Sequence, residues 1–190
     1  TKKIIIIIIF LTICLKVFFI APKGKPCFYT SNVEDKEPKY ERIQIEGRNI
    51  VQFQFHPTDP YRALALVERQ DDEHYDLFVT SNCCTGSSYD WRLAASDISS
   101  ATFGSKDADS YDPYKLYGIR HHEPGLLETV KARTFFFSMD MDNPSSLVDV
   151  VPHGFEMFYA GKFLFVAAVD RSEKISLLVS SDNGKQFNNI

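Results

Sequence analysis

Ser180-Ser181-Asp182-Asn183-Gly184-Lys185-Gln186-Phe187 has the shape Ser-x-Asp-x-Gly-x-x-aromatic, the pattern called an Asp-box. The pattern describes a hairpin corner that recurs in propeller repeats, so it predicts a repetitive β architecture. Asp and Asn side chains bond to nearby backbone amides and hold a turn without help from a sheet. Gly184 is suited to φ > 0, Ser180 offers a further hydroxyl to the turn backbone, and Phe187 carries the returning strand into the apolar layer. A catalytic or metal-binding role for Asp182 competes with a role as turn clamp. A lone carboxylate beside Asn and Gly is ordinary turn chemistry, which favours the clamp.

Working outward, Leu177, Leu178 and Val179 bring a strand up to the motif. Earlier strands are expected over 27–30, 40–45, 50–55, 63–67, 75–80, 91–95, 133–139, 155–159 and 162–169. Val51, Phe53 and Phe55 alternate with Gln52 and Gln54, the mark of a half-buried strand. His56-Pro57-Thr58-Asp59-Pro60 reads as a turn in which His56 caps or hydrogen-bonds the backbone. Residues 96–128, rich in Ser, Asp, Tyr and Gly, read as a long loop, and 140–144 as a turn. Short strands joined by turn chemistry, with no long helical period, mean an all-β sandwich, barrel or propeller.

Three stretches repeat the corner: Phe28-Tyr29-Thr30-Ser31-Asn32, Leu77-Phe78-Val79-Thr80-Ser81-Asn82 and Leu178-Val179-Ser180-Ser181-Asp182. Each runs from a strand into a hydroxyl, Ser, then Asn or Asp, and each is followed by an aromatic: Tyr40, Trp91 and Phe187. The first two carry insertions and lack the Gly. Their spacing suits blades of about 50 residues, with residues 96–128 read as an insertion that hides one repeat.

The chain has 190 residues, 44% of them hydrophobic, and a net charge of -4, which excludes a basic nucleic-acid surface. Residues 1–21 stand apart. Lys2 and Lys3 precede six consecutive Ile, and Lys16 interrupts the apolar run. The run is read as a signal or anchor-like segment, an artefactual one, or a native strand, and the folded domain as 22–190. The chain starts at Thr and stops three residues past the Asp-box, and is read as a fragment of a longer polypeptide.

Residues 155–187, reading FEMFYAGKFLFVAAVDRSEKISLLVSSDNGKQF, resemble a blade of the sortilin family of vacuolar protein-sorting receptors. Gly161-Lys162-Phe163-Leu164-Phe165-Val166 matches the Gly-x-Phe-Leu-Phe strand of that family, and the Asp-box follows a charged turn. Phe53-Gln54-Phe55-His56-Pro57 with Ala63-Leu64-Ala65-Leu66 resembles another blade. The likeness covers residues 27–190 and is thin over 83–130. No Cys pair brackets the 133–139 strand, where the family often has a disulfide. The resemblance implies about three blades of a ten-bladed propeller with unpaired outer edges. It also implies the lumenal part of a type I membrane receptor, binding protein or peptide cargo in the propeller tunnel between Golgi and endosome, lysosome or vacuole. It implies no catalysis and no cofactor. In such a compartment Cys27, Cys83 and Cys84 are the disulfide candidates; Cys83 and Cys84 are alternatively a vicinal redox pair or buried thiols.

Other constellations are weaker. His121-His122-Glu123 invites a metal reading, but zinc needs three or four convergent ligands, and a solvated loop is the plainer reading. Asp71, Asp72, Asp107, Asp109, Asp140 and Asp142 sit in polar turns, and no Gly-x-Ser-x-Gly elbow is present. Asp-boxes also occur in sialidases, so a propeller glycoside hydrolase fragment is the alternative function. That chemistry needs an Arg cluster, whereas Arg48, Arg62, Arg69, Arg92, Arg120, Arg133 and Arg171 are scattered. A non-catalytic scaffold of Asp-box repeats is a third reading.

Overall fold

The computed structural model describes residues 6–7, 18–20, 27–30, 36–37, 39, 41–59, 61–69, 74–83, 90–122, 134–170 and 172–190. Every regular element among them is a β-strand. Among the described residues no helix is long and apolar enough to cross a membrane. The chain divides into two compact units, Thr1–Glu73 with Phe78–Leu93, and His74–Leu77 with Ala94–Ile190.

The first unit holds β1 (Ile6–Ile7), β2 (Phe18–Ile20), β3 (Cys27–Thr30), β4 (Glu41–Ile45), β5 (Arg48–Phe55) and β6 (Ala63–Glu68). Each pairs antiparallel with the next. Two short strands therefore lie within the apolar run of 1–21; its other residues lie outside the described ones. Glu46 and Gly47, both at positive φ, close the β4–β5 hairpin with Ile45 opposite Arg48. Positive φ at both central positions matches the right-handed twist of the flanking strands. β6 is buried along Ala63–Val67, as an apolar run without alternation requires. Its Ala63, Ala65 and Val67 pack with Ile45, Ile50, Phe53, Phe78 and Cys83. Phe78 comes from β7 (Tyr75–Thr80), which crosses the boundary between the units in sequence.

The second unit contains two antiparallel meanders of four strands. One is β8 (Arg92–Phe103, in this unit from Ala94), β9 (Lys115–His121), β10 (Thr134–Asp140) and β11 (Asn143–Pro152). The other is β12 (Gly154–Ala160), β13 (Phe163–Val169), β14 (Ile175–Ser180) and β15 (Asn188–Asn189). His153 takes φ 57° between β11 and β12 and turns the chain from one sheet into the next.

This arrangement corrects two expectations. Of the stretch 96–128, the described residues 96–122 are not a loop that hides a repeat, because most of β8 and all of β9 lie there and open the repeat themselves. Ala94, Ile98, Ala101 and Phe103 are buried along β8, while Ser96 is exposed and Ser99 and Ser100 take intermediate positions. A bulge between Ile98 and Ser100, beside Asp97 at φ 62°, breaks the two-residue period that would reveal the strand. In β9, Gly118 is a packing requirement and not a loop marker. A Cβ there would sit 2.5 Å from the Ser100 carbonyl oxygen and 2.5 Å from the Phe137 ring. The second correction concerns 140–144: only Met141 and Asp142 form the turn, and β11 runs from Asn143 through Pro144. β11 is largely exposed, so its Leu147, Val148, Val150 and Val151 do not mark one buried face.

The core of the second unit lies between its two sheets. Tyr117, Ile119, Phe136 and Val151 of the first meet Leu164, Val166 and Ala168 of the second, with Met157, Tyr159, Leu178 and Phe187 around them. Burial of apolar area at this face is the main force joining the sheets.

Candidate functional site

All four Asp-box residues singled out in the sequence meet at the β14–β15 corner. The Ser180 hydroxyl donates to Asp182 Oδ1 at 2.6 Å and accepts the Gly184 N–H at 2.8 Å and the Asp182 N–H at 3.3 Å. Asp182 Oδ1 also accepts the N–H groups of Lys185 and Gln186, each at 3.0 Å. Burial raises the Asp182 pKa, but the Ser180 hydroxyl and the backbone amides of Gln186, Lys185 and Asp182 itself outweigh it. The carboxyl is held below the usual carboxylate range. Gly184 takes φ 82°, and Phe187 meets Phe136 edge-on at 5.6 Å between ring centroids. The carboxylate is thus a clamp on its own turn.

Asn183, unassigned by sequence reasoning, fastens this corner to the other sheet. Its side chain is 1% exposed and its φ is 56°. Its Oδ1 accepts the Ser105 N–H and the Tyr159 hydroxyl, both at 3.0 Å. Its Nδ2 donates to the carbonyls of Ser105 at 3.1 Å and Ser110 at 2.9 Å. Ser105 and Ser110 belong to the β8–β9 connection. That connection also gives the Asp109 N–H to the Ser181 carbonyl, at 2.8 Å, and the Ser105 hydroxyl to the Gly161 carbonyl, at 3.0 Å. Lys162 reaches Asp109 at 2.7 Å; its hydrogen bond, with that of Ser181, holds the Asp109 carboxyl low. Burial pushes the Tyr117 and Tyr159 phenols far up, so both stay neutral and Tyr159 keeps the proton it donates to Asn183. The signal available in sequence was an Asn at a variable position of the box. Asn tolerates the left-handed region and carries donors and acceptors together.

The degraded corner of the first unit repeats the hydroxyl clamp. The Thr80 hydroxyl donates to Asn82 Oδ1 at 2.7 Å and accepts the Asn82 N–H at 3.3 Å. Asn82 Oδ1 accepts the Asp90 N–H at 3.1 Å. Trp91 stands edge-on to Phe53 at 5.9 Å, as Phe187 does to Phe136. Ser31, Asn32 and Tyr40 of the third candidate corner lie outside the described residues.

The remaining candidates scatter. His56 caps its turn, its Nδ1 accepting the N–H groups of Asp59 at 2.9 Å and Thr58 at 3.2 Å. The His121 ring lies 3.7 Å from that of His74, and His122 meets Phe135 edge-on; Glu123 lies outside the described residues. Among the described residues no group of three or more His, Cys, Asp or Glu is placed to hold a metal ion. Cys83 is buried in the first core. Cys27 is on β3, with only its backbone described, and Cys84 lies outside the described residues. Arg48, Arg62 and Arg120 pair with Glu46, Asp59 and Asp149, each at a separate place on the surface. Asp71, Asp72, Arg133 and Arg171 lie outside the described residues.

No protein-family model and no curated protein matches the chain. Solved structures do. The structure of putative TolB from Agrobacterium tumefaciens superposes with a TM-score of 0.55 at 14% identity, over 92% of this chain and 57% of that one. TolB from Acinetobacter baumannii superposes with a TM-score of 0.51 at 11% identity, over 86% and 37%. The fold is a partial β-propeller. The chain spans little more than half the length of the first of these structures and less of the second. Each four-stranded meander of the second unit is accordingly a blade, and the Asp-box and the Asn183 bonds fasten one blade to the other.

Proposed function

We propose that the chain is the lumenal ligand-binding segment of a sortilin-like transmembrane sorting receptor, carrying protein or peptide cargo between Golgi and endosome, lysosome or vacuole. The observation that carries the reading is the engagement of Asp182. Its Oδ1 accepts three hydrogen bonds from its own turn and so serves architecture. A motif spent in this way supports a binding scaffold over a hydrolase. The Gly161-x-Phe163-Leu164-Phe165 strand leading to that corner supports the sortilin-like reading and, with it, a ten-bladed ring. Cargo recognition then belongs to the tunnel of the completed ring and needs no cofactor.

The test is made on the full-length polypeptide that completes the ring. Calorimetry measures binding of unstructured peptides and of hydrolase precursors, and a fluorogenic sialoside reports hydrolysis in parallel. Saturable peptide binding without turnover supports the reading. Sialoside hydrolysis, or failure of both peptide and protein cargo to bind, overturns it.

A further inference from the structure

The Asp-box contains the one Asn-Gly dipeptide of the chain, Asn183-Gly184. In an open chain such a pair is chemically fragile. Glycine presents the least hindered backbone nitrogen, and once that nitrogen has lost its proton it attacks the side-chain amide carbon of the Asn before it. Here the bond from Gly184 N to Asn183 Cγ forms and the bond from Cγ to Nδ2 breaks. Nδ2 leaves as ammonia, taking up the proton that the Gly184 nitrogen gave to solvent. Water then opens the cyclic imide. Attack at Cγ gives Asp; attack at the main-chain carbonyl gives isoaspartate, in which the backbone runs through Cγ.

The folded corner blocks these steps. The Gly184 N–H donates to the Ser180 hydroxyl at 2.8 Å, and Gly184 is itself buried. Asn183 is 1% exposed. Its Oδ1 accepts from the Ser105 N–H and the Tyr159 hydroxyl, and its Nδ2 donates to the Ser105 and Ser110 carbonyls. Turning Cγ onto the Gly184 nitrogen breaks all four of these bonds, in a site closed to the hydrolytic water. Every one of these residues lies within the second unit.

The products do not fit the corner they come from. Asp at position 183 has no donor for the Ser105 and Ser110 carbonyls and sets an oxygen against them. Isoaspartate adds a backbone carbon between positions 183 and 184. That carbon falls inside the span of the Ser180–Gly184 bond and of the Asp182 bonds to Lys185 and Gln186, and breaks their spacing.

We propose that Asn183-Gly184 is a site of spontaneous, backbone-assisted deamidation that the folded corner protects, so that opening the corner starts a reaction that prevents it from closing again. The co-reactant is water. Opening is reversible while Asn183 is intact and irreversible once it has reacted. The inference is independent of the cargo reading.

The experiment follows deamidation at Asn183 by peptide mapping in mildly alkaline buffer, with thiols kept reduced. The native chain is compared with the same chain in guanidinium and with a synthetic peptide of residues 177–190. The unfolded chain and the peptide should react at similar rates, and the native chain about tenfold or more slowly. Tyr159→Phe removes one of the four bonds and should speed the native reaction about fivefold, while leaving the reaction in guanidinium unchanged. A second arm holds the chain in guanidinium under mildly alkaline or mildly acidic conditions, the latter slowing imide formation, and then returns it to native buffer. The acid-held chain should regain its far-UV circular dichroism, and the chain deamidated at Asn183 should not. If the acid-held chain also fails to refold, Asn183→Asp made directly takes its place, and a lowered urea midpoint supports the proposal while an unchanged one overturns it. A native rate equal to that of the peptide overturns it, as does a native rate that Tyr159→Phe leaves unmoved. So does full recovery of the native spectrum by the deamidated chain.

Discussion

Replacing Asn183 by Ala tests whether the corner fastens the two blades or merely decorates a turn. The substitution removes four hydrogen bonds, to the Ser105 N–H, the Ser105 and Ser110 carbonyls and the Tyr159 hydroxyl. At about 1 kcal/mol net for each, the loss approaches 4 kcal/mol. Ala at φ 56° adds about 1 kcal/mol or more, since it lacks the local bonding that lets Asn visit this region. Water entering the vacated site returns part of this, so a loss of about 3–5 kcal/mol is expected. Urea unfolding followed by far-UV circular dichroism measures it, and Tyr159→Phe completes a double-mutant cycle with coupling of about 0.5–1.5 kcal/mol. A loss below about 1 kcal/mol, with no coupling to Tyr159, would refute the reasoning. Asn183→Asp sharpens the test. Its second oxygen would face two carbonyls in a buried site, raising the pKa of the new carboxyl above its unfolded value. The folded state then binds the extra proton, so this variant gains stability as pH falls, relative to Asn183→Ala.

Gly118→Ala forces a Cβ to within 2.5 Å of the Ser100 carbonyl and should lower stability by about 3 kcal/mol, read as a lower urea midpoint at unchanged slope. Asp182 titrates in the opposite sense to the Asn183→Asp carboxyl. Its folded pKa is lowered, so its contribution is complete above the unfolded value of about 3.9 and is lost as pH falls through the folded pKa. Asp182→Ala should therefore be less stable than wild type by about 1–3 kcal/mol at pH 7, and the gap should shrink in acid melts as pH falls below about 4. Thr80→Val removes the hydroxyl clamp of the first unit at nearly constant volume and should cost about 1 kcal/mol in thermal melts, while Thr80→Ser should recover most of it.

The sequence was most readable where a strand alternates or ends in turn chemistry. The Val51–Phe55 alternation and the strands leading into both hydroxyl corners stand within two residues of their expected ends. It was least readable in β8, β9 and β11. β8 carries Ser at half-buried positions and a bulge that shifts its phase, and β9 holds a Gly whose absent side chain makes room for Phe137. β11 sets Leu147-Val148 and Val150-Val151 side by side with only Val151 buried, so its apolar residues do not alternate. Local pattern reports burial, and these three strands are specified by cross-strand contacts that a linear reading does not contain. The same limit applies to the corner. Ser180, Asp182, Gly184 and Phe187 are legible because their bonds close within the motif. Three of the four bonds of Asn183 reach residues more than seventy positions away.

The two corners together indicate what the repeat conserves physically. In both, a hydroxyl donates to a side-chain oxygen two residues on, at 2.6 and 2.7 Å, and receives that residue's N–H at 3.3 Å. In both, an aromatic then stands edge-on to a core Phe. What differs is the length between. Phe187 follows Asp182 by five residues and Trp91 follows Asn82 by nine, by subtraction of their positions. An i to i+2 hydrogen bond tolerates no added residue, whereas the cost of closing a loop grows only logarithmically with its length. The amide of Asp90 can therefore take the place that Lys185 and Gln186 fill in the tighter corner. The longer corner carries its extra residues between the clamp and its aromatic anchor, the stretch that can lengthen without breaking the i to i+2 bonds. On this argument the clamp pins the end of the strand before the corner and the aromatic pins the chain after it, so the corner survives the loss of the Gly and of the spacing.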